Sequence, residues 1–350
     1  MKRKYKQTIL GSSSYSLALK EDGSLVSWGQ DSDGQVSDAP SGNDFVAVAG
    51  GRRHSLALKA NGSIVSWGII DHTPSESDFV AIASGFYHSL ALKTDGSLVS
   101  WGNDADGQVR NTPSGNDFVA VAGGYFHSLA LKADGSLVSW GYNGSGQVRK
   151  TPSGNDFVAI SGGYSHSVAL KSDGSLVSWG NDADGQVRNT PSGNDFVAVA
   201  GSRHHSLALK SDGSLVSWGN DADGQVRNTP SGNDFVAVAG GYFHSLALKA
   251  DGSLVSWGRN GDGQVPEKTS DRIQIPDINI KNIIASEKQI KQQTAGLEHH
   301  FDYEVFDSEK VYQAWYQQEY RETLKSIGLE TTEDVPTPLI LPDNRILFIY

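Results

Sequence analysis

Three short segments with the hydrophobic spacing of β-strands recur along the chain. In one copy, residues 118–122 have the sequence FVAVA, residues 127–132 HSLALK and residues 136–140 SLVSW. The second segment alternates, so both of its leucines lie on one face of a strand. Asp134 and Gly135 separate the last two segments, and such a pair favours a hairpin because glycine accepts the positive φ of the turn. The pattern predicts three antiparallel strands per unit, and pairing around the following Gly-Gln-Val could add a short fourth.

A Trp-Gly pair marks the same point in each copy of the unit. The tryptophans of these pairs are Trp28, Trp67, Trp101, Trp140, Trp179, Trp218 and Trp257. Successive tryptophans are 39 residues apart, except for one interval of 34 residues that follows Trp67. Residues 67–79 are five residues shorter than the corresponding segment, residues 101–118, and the register then resumes at once. The short interval therefore predicts a trimmed loop.

Seven such units predict an all-β fold, a seven-bladed β-propeller over residues 1–270. A unit of about forty residues cannot bury its own apolar face, whereas units arranged radially bury one another's. A linear β-solenoid is the main alternative, and it is less favoured because solenoid repeats are usually shorter. The periodicity stops near residue 270, and residues 271–350 are predicted to form a small helical or α+β extension.

The extension has few glycines and two helical patterns. One is predicted to end near Gly296, and the other covers residues 307–328, where Tyr312, Tyr316 and Tyr320 recur at every fourth position. The last apolar residues suggest a hairpin that turns at residues 342–345. Packing on the propeller or within a small domain is favoured over a partner-binding helix.

Composition narrows the function classes. Forty glycines in 350 residues indicate many turns. A net charge of −11, with no basic run beyond residues 2–4, argues against a nucleic-acid partner. The absence of cysteine excludes disulfides and thiolate catalysis. No apolar run is long enough to span a membrane. The basic start is interrupted by serines and aligns with the repeat, so it is assigned to the fold, and a cytoplasmic protein is expected.

The repeat pattern VAVAGGxxHSLALKxDGSLVSWGxNxxGQV resembles that of the regulator of chromosome condensation family, which includes the Ran nucleotide-exchange factor. The shared residues are the Gly-Gly pair, the histidine, the two leucines, Asp-Gly, Trp-Gly and Gly-Gln. The resemblance covers about residues 5–270 and implies seven blades. In repeat length the chain is closer to bacterial members such as a secreted β-lactamase-inhibitor propeller. The exchange factor uses an inserted wedge and long loops, for which this chain shows no counterpart, so none of its functional residues carries over.

The residues that recur in every unit are predicted to build the blades. Histidine occupies one position in six units, and Tyr15 takes that position in the first. A catalytic residue is needed once, whereas an imidazole can bridge backbone groups in every blade. Equivalent histidines of different blades are also too far apart to share a metal ion. The tryptophans are expected to pack between neighbouring blades.

The loop NDADGQ is the most suggestive segment for metal binding. It occurs at residues 103–108, 181–186 and 220–225, and its acidic oxygens resemble those of a calcium loop. It lacks the distal bidentate glutamate, and residues 142–147 and 259–264 have lost acidic groups while keeping the loop. An Asx turn closed by glycine explains every version. No Ser/His/Asp set or phosphate-binding loop is present, so we expect no enzymatic activity, no cofactor and no metal.

Two stretches differ between the copies, the pair before the histidine and the residue after Trp-Gly. Successive loops of antiparallel strands alternate between the two faces, so these two stretches are predicted to share one face. Aromatic residues and arginine are enriched at binding hot spots. The residues assigned to partner binding are Arg52, Arg53, Phe86, Tyr87, Tyr125, Phe126, Tyr142, Tyr164, Arg203, His204, Tyr242, Phe243 and Arg259. The alternative is that some of these aromatic residues plug the channel mouth, or that the variation is drift.

These patterns favour a monomeric, non-enzymatic propeller that binds a protein partner through its variable face. One alternative is nucleotide exchange on a small GTPase, as the family resemblance would allow. A second is inhibition of a secreted enzyme, which requires export. A third is an enzyme in the C-terminal extension, which lacks any recognisable catalytic set.

Overall fold

The computed structural model describes residues 8–70 and 72–265, Ile273 and four residues near the C-terminus. In this part of the chain, seven antiparallel sheets of three strands follow one another, each in the order of the sequence. The strands are β1 Ile9–Gly11, β2 Tyr15–Leu19, β3 Leu25–Gly29, β4 Phe45–Gly50, β5 His54–Lys59, β6 Ile64–Gly68, β7 Phe79–Ser84, β8 His88–Lys93, β9 Leu98–Gly102, β10 Phe118–Gly123, β11 His127–Lys132, β12 Leu137–Gly141, β13 Phe157–Gly162, β14 His166–Lys171, β15 Leu176–Gly180, β16 Phe196–Gly201, β17 His205–Lys210, β18 Leu215–Gly219, β19 Phe235–Gly240, β20 His244–Lys249 and β21 Leu254–Gly258.

The strands have the register that the hairpin pattern predicts. In the fourth blade, Leu131 of β11 pairs with Leu137 of β12, and the turn between them contains Gly135 at φ 84°. The Asp134 carboxylate accepts a hydrogen bond from the Ser136 amide at 2.9 Å, which fixes the turn from inside. The Asp-Gly pair is therefore turn chemistry, as expected. The Gly-Gln-Val segments lie in turns, so each described blade has three strands.

Neighbouring blades share one apolar core at each interface. Between the first two blades, Leu17 and Leu19 pack against Phe45, Val48 and Trp67. The same positions meet at four further interfaces, where two aliphatic residues of the middle strand face the phenylalanine and tryptophan of the next blade. Both are leucines except in β14, which has Val168 and Leu170. No blade buries its own faces, and each depends on its neighbours.

Ile273 completes the contact between the seventh blade and the first. It forms an antiparallel bridge with Lys20, and its amide donates to the Gly252 carbonyl at 3.0 Å. In the second blade, Phe45 makes the same two contacts. It pairs with Lys59, and its amide donates to the Gly23 carbonyl. Ile273 therefore supplies, from beyond the seventh blade, the residue that the first strand of the first blade lacks. It is fully buried in the closing core.

A ring of buried hydrogen bonds joins the blades near one end. Six of the seven blades have a histidine at the start of the middle strand. The Nε2 atom of each forms a hydrogen bond of 2.8–2.9 Å with a serine Oγ of the next blade. The pairs are His54–Ser89, His88–Ser128, His127–Ser167, His166–Ser206, His205–Ser245 and His244–Ser16. The last pair links the seventh blade to the first and so closes the ring. The prediction that these histidines are structural agrees with this geometry, but the expected bridge between backbone groups is wrong. Each Nε2 bonds to a serine hydroxyl, and the Nδ1 atoms of all but His54 have no hydrogen-bond partner among the described residues.

Tyr15 makes the seventh link of this ring. Its hydroxyl donates to the His54 carbonyl at 2.6 Å and accepts a hydrogen bond from the Ser55 hydroxyl at 2.9 Å. Burial raises the pKa of Tyr15 to about 12, so the phenol remains a protonated donor well into the alkaline range. A longer side chain thus reaches the same serine position that histidine reaches in the other blades.

A second set of hydrogen bonds joins each tryptophan to the loop of the preceding blade. The indole nitrogen of Trp140, for example, donates to the Gln108 carbonyl at 2.9 Å. Five other tryptophans make the same bond, and Trp101 is the exception. Its Nε1 atom is buried and has no hydrogen-bond partner among the described residues. The trimmed loop of the second blade explains this, because it lacks the Gly-Gln-Val segment that would supply the carbonyl.

Beyond the propeller, the structure describes β22 Leu339–Ile340 and β23 Ile346–Leu347, which pair antiparallel. This pairing is the hairpin predicted around residues 342–345. The two predicted helices of the extension lie outside the described residues. Among the residues described, no helix is long and apolar enough to cross a membrane.

The ring of histidines makes the fold sensitive to acid. Burial lowers the pKa of His54 and His244 from 6.5 to about 4, and that of the other four to about 3. Below pH 6.5 the unfolded chain takes up protons that the folded chain cannot, so stability is lost as the pH falls. Each histidine can contribute up to about 1.4 kcal/mol per pH unit.

We therefore expect the free energy of unfolding, measured in urea at high ionic strength, to fall steeply between about pH 7 and about pH 4.5. The carboxylates with lowered pKa values act below this window, since their ordinary pKa is 3.8. A free energy of unfolding that stays constant over this range would show that the histidines are not buried in their neutral form.

The unpaired indole gives a matched pair of stability measurements. Trp140→Phe and Trp101→Phe remove the same ring atoms from equivalent sites, and both tryptophans are 4% exposed. Only Trp140→Phe also deletes a hydrogen bond and leaves a buried carbonyl unpaired. We expect Trp140→Phe to cost about 1–3 kcal/mol more than Trp101→Phe in urea unfolding. Equal losses would mean that the indole hydrogen bonds contribute nothing to the ring.

Candidate protein-binding face

The two variable stretches lie at the same end of the propeller. In each blade, the backbone amide of the residue after the Trp-Gly pair donates a hydrogen bond. The acceptor is the carbonyl of the residue directly before the histidine position. Examples are Tyr142 to the Phe126 carbonyl at 2.8 Å and Arg259 to the Phe243 carbonyl at 2.8 Å. The same bond occurs in all seven described blades. The prediction that these stretches share a face is therefore confirmed.

The first residue of each pair points toward the axis of the ring. We call Arg52, Phe86, Tyr125, Tyr164, Arg203 and Tyr242 the inner set. The rings of Phe86 and Tyr125 stack with their centroids 3.7 Å apart, and Phe86 lies 5.3 Å from Tyr242 of the seventh blade. Tyr164 contacts Tyr125 at 3.9 Å. Rings from non-adjacent blades meet only near the axis, so these four close the mouth of the channel.

The inner set was assigned to partner binding because of its residue types, but its aromatic rings pack against one another. Phe86 keeps only 6% of its accessible surface. Burial raises the pKa of Tyr242 well above its ordinary value, and its hydroxyl has no partner in the described structure. The alternative interpretation of the sequence, in which some aromatic residues plug the channel mouth, describes these residues. The two arginines lie over this plug, with Arg52 5.2 Å from the Phe86 centroid.

The second residue of each pair lies farther out, and several of these side chains have polar partners. We call Arg53, Tyr87, Phe126, His204 and Phe243, together with Tyr142 and Arg259, the outer set. Arg53 forms an ion pair with Asp33 of the preceding loop at 2.6 Å. The His204 Nδ1 atom lies 3.4 Å from Asp184, whose carboxylate also accepts from Asn220. The Tyr87 hydroxyl accepts a hydrogen bond from Arg52 at 2.8 Å.

The strongly exposed apolar surface of the described propeller lies on this face. Ile69 is 54% exposed and Tyr142 is 40% exposed, and no other large hydrophobic side chain in the described residues is comparably exposed. Both residues follow a Trp-Gly pair. Ile69 was not among the predicted partner-binding residues, although it lies at one of the two variable positions. The signal that could have identified it is an isoleucine where the other blades have mainly polar residues.

The opposite face repeats one arrangement from blade to blade. In the fourth blade, Lys132 pairs with Asp117 at 3.0 Å and lies 5.5 Å from the Phe118 ring centroid. Five other blades place a lysine over the equivalent phenylalanine in the same way. This face offers a partner little that distinguishes one blade from the next.

The acidic loops use their carboxylates internally. In the third blade, Asp104 accepts hydrogen bonds from the Val109 and Arg110 amides at 2.9 Å. The Gln108 side chain accepts from the Asp106 amide at 2.8 Å. No group of three metal-ligating side chains occurs in the part of the chain that the structure describes. The Asn103 side-chain oxygen accepts from the Ala105 amide at 3.2 Å, which makes an Asx turn, and Asp104 closes the rest of the loop.

A closed ring of blades with one uniform and one variable face defines a repeat propeller with a single adaptable surface. The Regulator of chromosome condensation (RCC1) repeat matches the chain in six segments, and the chain belongs to this family. The segments are residues 45–69, 79–108, 118–147, 157–186, 196–225 and 235–264. No curated protein matches the chain.

Solved structures confirm the propeller fold. The ectodomain of the Physcomitrella patens receptor kinase CR4 is 20% identical, with a TM-score of 0.61 over 72% of this chain and 73% of that one. The Arabidopsis thaliana ACR4 ectodomain is 20% identical, with a TM-score of 0.62 over 75% and 98%. Prp20p from Saccharomyces cerevisiae, a protein with binding properties toward Gsp1p and histones, is 20% identical, with a TM-score of 0.56 over 80% and 89%. At this identity the likeness shows the fold alone.

The buried hydroxyls of Tyr15 and Tyr242 have different roles, which can be measured. Tyr15→Phe removes a hydroxyl with two partners, and we expect it to cost about 1–3 kcal/mol of unfolding free energy. Tyr242→Phe removes a hydroxyl without a partner, so we expect it to leave stability unchanged or to raise it by up to about 1 kcal/mol. Urea unfolding of the two variants at neutral pH makes the comparison. A larger loss for Tyr242→Phe would show that its hydroxyl is paired.

Proposed function

We propose that the protein is a non-enzymatic interaction module that binds a protein partner through the outer set and Ile69. The observation that carries this proposal is the location of the exposed apolar side chains. Ile69 and Tyr142 lie on the variable face, where blade packing does not need them. Aromatic side chains are enriched at protein interfaces, and Tyr142 presents one on this face.

The chemistry of the surrounding side chains supports the proposal. Phe126 packs edge-on with Tyr142 at 6.3 Å between centroids, so the exposed ring is held in place before any partner arrives. A fixed ring loses little conformational entropy on binding, and aromatic and arginine side chains dominate binding hot spots. The variable face supplies both types from several blades, whereas the opposite face is uniform.

Nucleotide exchange on a small GTPase is the second candidate, and it is favoured by the repeat family, which includes the Ran nucleotide-exchange factor. None of the described blades carries an inserted strand pair that could act as a wedge. A nucleotide-release assay with a panel of labelled small GTPases separates the candidates. The proposed function predicts spontaneous release rates, and acceleration by the full chain would favour the exchange factor.

Site-specific photocrosslinking identifies the partner and tests the face. We expect Tyr142→p-benzoylphenylalanine to crosslink a protein in a lysate of the source organism, because the probe replaces an exposed ring on the proposed surface. Asp134→p-benzoylphenylalanine places the same probe on an exposed hairpin of the opposite face and serves as the control. The crosslinked protein is identified by mass spectrometry.

Affinity for the purified partner then provides the quantitative test. We expect Tyr142→Ala and Ile69→Ser each to weaken binding about tenfold or more, without changing the urea unfolding midpoint. If both variants bind as the unmodified protein does, or if only the Asp134 probe crosslinks, the proposed face is wrong.

A further inference from the structure

Arginines on the variable face differ in how their charge is neutralised. Arg53 has Asp33 as its ion-pair partner, and Arg188 lies 3.4 Å from Asp182 of its own loop. Arg203 and Arg259, by contrast, form no ion pair with any residue that the structure describes. Asp223 occupies the loop position equivalent to Asp184, yet it forms no ion pair with either arginine.

Arg203 is enclosed by aromatic rings. Its guanidinium carbon lies 5.4 Å from the Tyr164 centroid, 5.1 Å from Tyr242 and 4.8 Å from Phe243. Its Nε atom is buried and has no hydrogen-bond partner within the described structure. The rings hold the guanidinium by cation–π attraction but cannot accept its in-plane hydrogen bonds. The rings fix the position of this guanidinium, and its terminal nitrogens form no hydrogen bond with a described residue.

Arg259 brings a second unpaired cation to the same ring. Its guanidinium carbon lies 5.3 Å from the Phe243 centroid. Both guanidinium groups thus lie close to one ring, and two like charges so placed repel each other. An anion bound beside Phe243 would relieve this repulsion and accept the free donors. A carboxylate suits the site because it accepts two parallel hydrogen bonds from one guanidinium.

We propose that Arg203 and Arg259, around Phe243, form a pocket for a carboxylate side chain on the partner protein. This inference rests on the proposed function and names the chemistry of the partner: a glutamate or aspartate flanked by apolar residues. The aromatic rings contact the flanking residues while the arginines bind the acid. Arg203 is the principal ligand, because three rings fix its position.

The surroundings favour a single carboxylate over a polyanion. Asp223 and Asp262 lie in the loops next to the pocket and form no ion pairs among the described residues. The chain as a whole carries a net charge of −11. Two arginines within an acidic rim attract an isolated carboxylate but repel a continuous phosphate backbone, which requires an extended basic surface.

The test uses the full chain and immobilised peptides that differ at one residue. The peptides are uncharged apart from the central position, which is glutamate, glutamine or lysine between two phenylalanines. An oligothymidylate serves as the phosphate probe. We expect the glutamate peptide to bind about tenfold more tightly than the glutamine peptide, and the lysine peptide to bind least.

Variants assign the preference to the pocket. Arg203→Gln and Arg259→Gln are expected to reduce binding of the glutamate peptide to the level of the glutamine peptide. Arg188→Gln, at an exposed arginine with its own ion pair, is the matched control and is expected to retain the preference.

Three results would overturn the inference: equal binding of the glutamate and glutamine peptides, an unchanged preference in both pocket variants, or binding of the oligothymidylate through the same arginines. Absence of binding by any peptide up to millimolar concentration also counts against it. Failure here is distinguishable from failure of the proposed function, because the Tyr142 and Ile69 variants test the face with no reference to acidic residues.

Discussion

The rest of this structure depends on the buried hydrogen bond between a histidine of one blade and a serine of the next. A neutral histidine buried next to a serine of the next blade is stable only when that blade is in place, because an unpaired buried polar group is costly. Each blade therefore requires its neighbour. The requirement is satisfied all the way round only when His244 meets Ser16 and the ring closes.

This constraint also explains where the chain is free to vary. The histidine, serine, leucines and tryptophan of each unit are committed to the interfaces, and so are the glycines beside the histidine. A Cβ at Gly124, for example, would lie 2.1 Å from a ring atom of His127. Of the two residues between that glycine and the histidine, the inner one packs at the channel mouth, as Phe86 does, and only the outer one escapes these demands. Their variation is concentrated on one face, where it can serve recognition without loss of the fold.

The repeats made most of the fold predictable from sequence. Seven tryptophans in register and an Asp-Gly or Asn-Gly hairpin in each unit specify the blades and the shared face of the variable loops. The ring closure was not predictable, because Ile273 lies in a segment without the repeat motif and replaces a phenylalanine. The unpaired nitrogen of Trp101 follows from the trimmed loop. It could not be predicted from sequence alone, because the sequence does not show that a glutamine carbonyl is the usual partner of the indole.

The sequence predicted the location of the candidate site better than it predicted the role of each residue there. Residue types alone could not separate Phe86, which is buried at the axis, from Tyr142, which is exposed. That distinction depends on the distance of each position from the ring axis, which the sequence does not encode locally. The same limit applies to Arg53 and Arg203, one of which is neutralised by an aspartate and the other enclosed by rings.

The central claim is that blade-building and recognition are carried by separate residues. Ser14 and Ser165 already occupy the outer position in two blades, so a variant with serine at positions 53, 87, 126, 204 and 243 tests it directly. Its unfolding free energy and its affinity for the crosslinked partner would be measured together. We expect a cooperative, folded propeller that no longer binds. A variant that keeps its affinity, or that loses the fold along with binding, would contradict it.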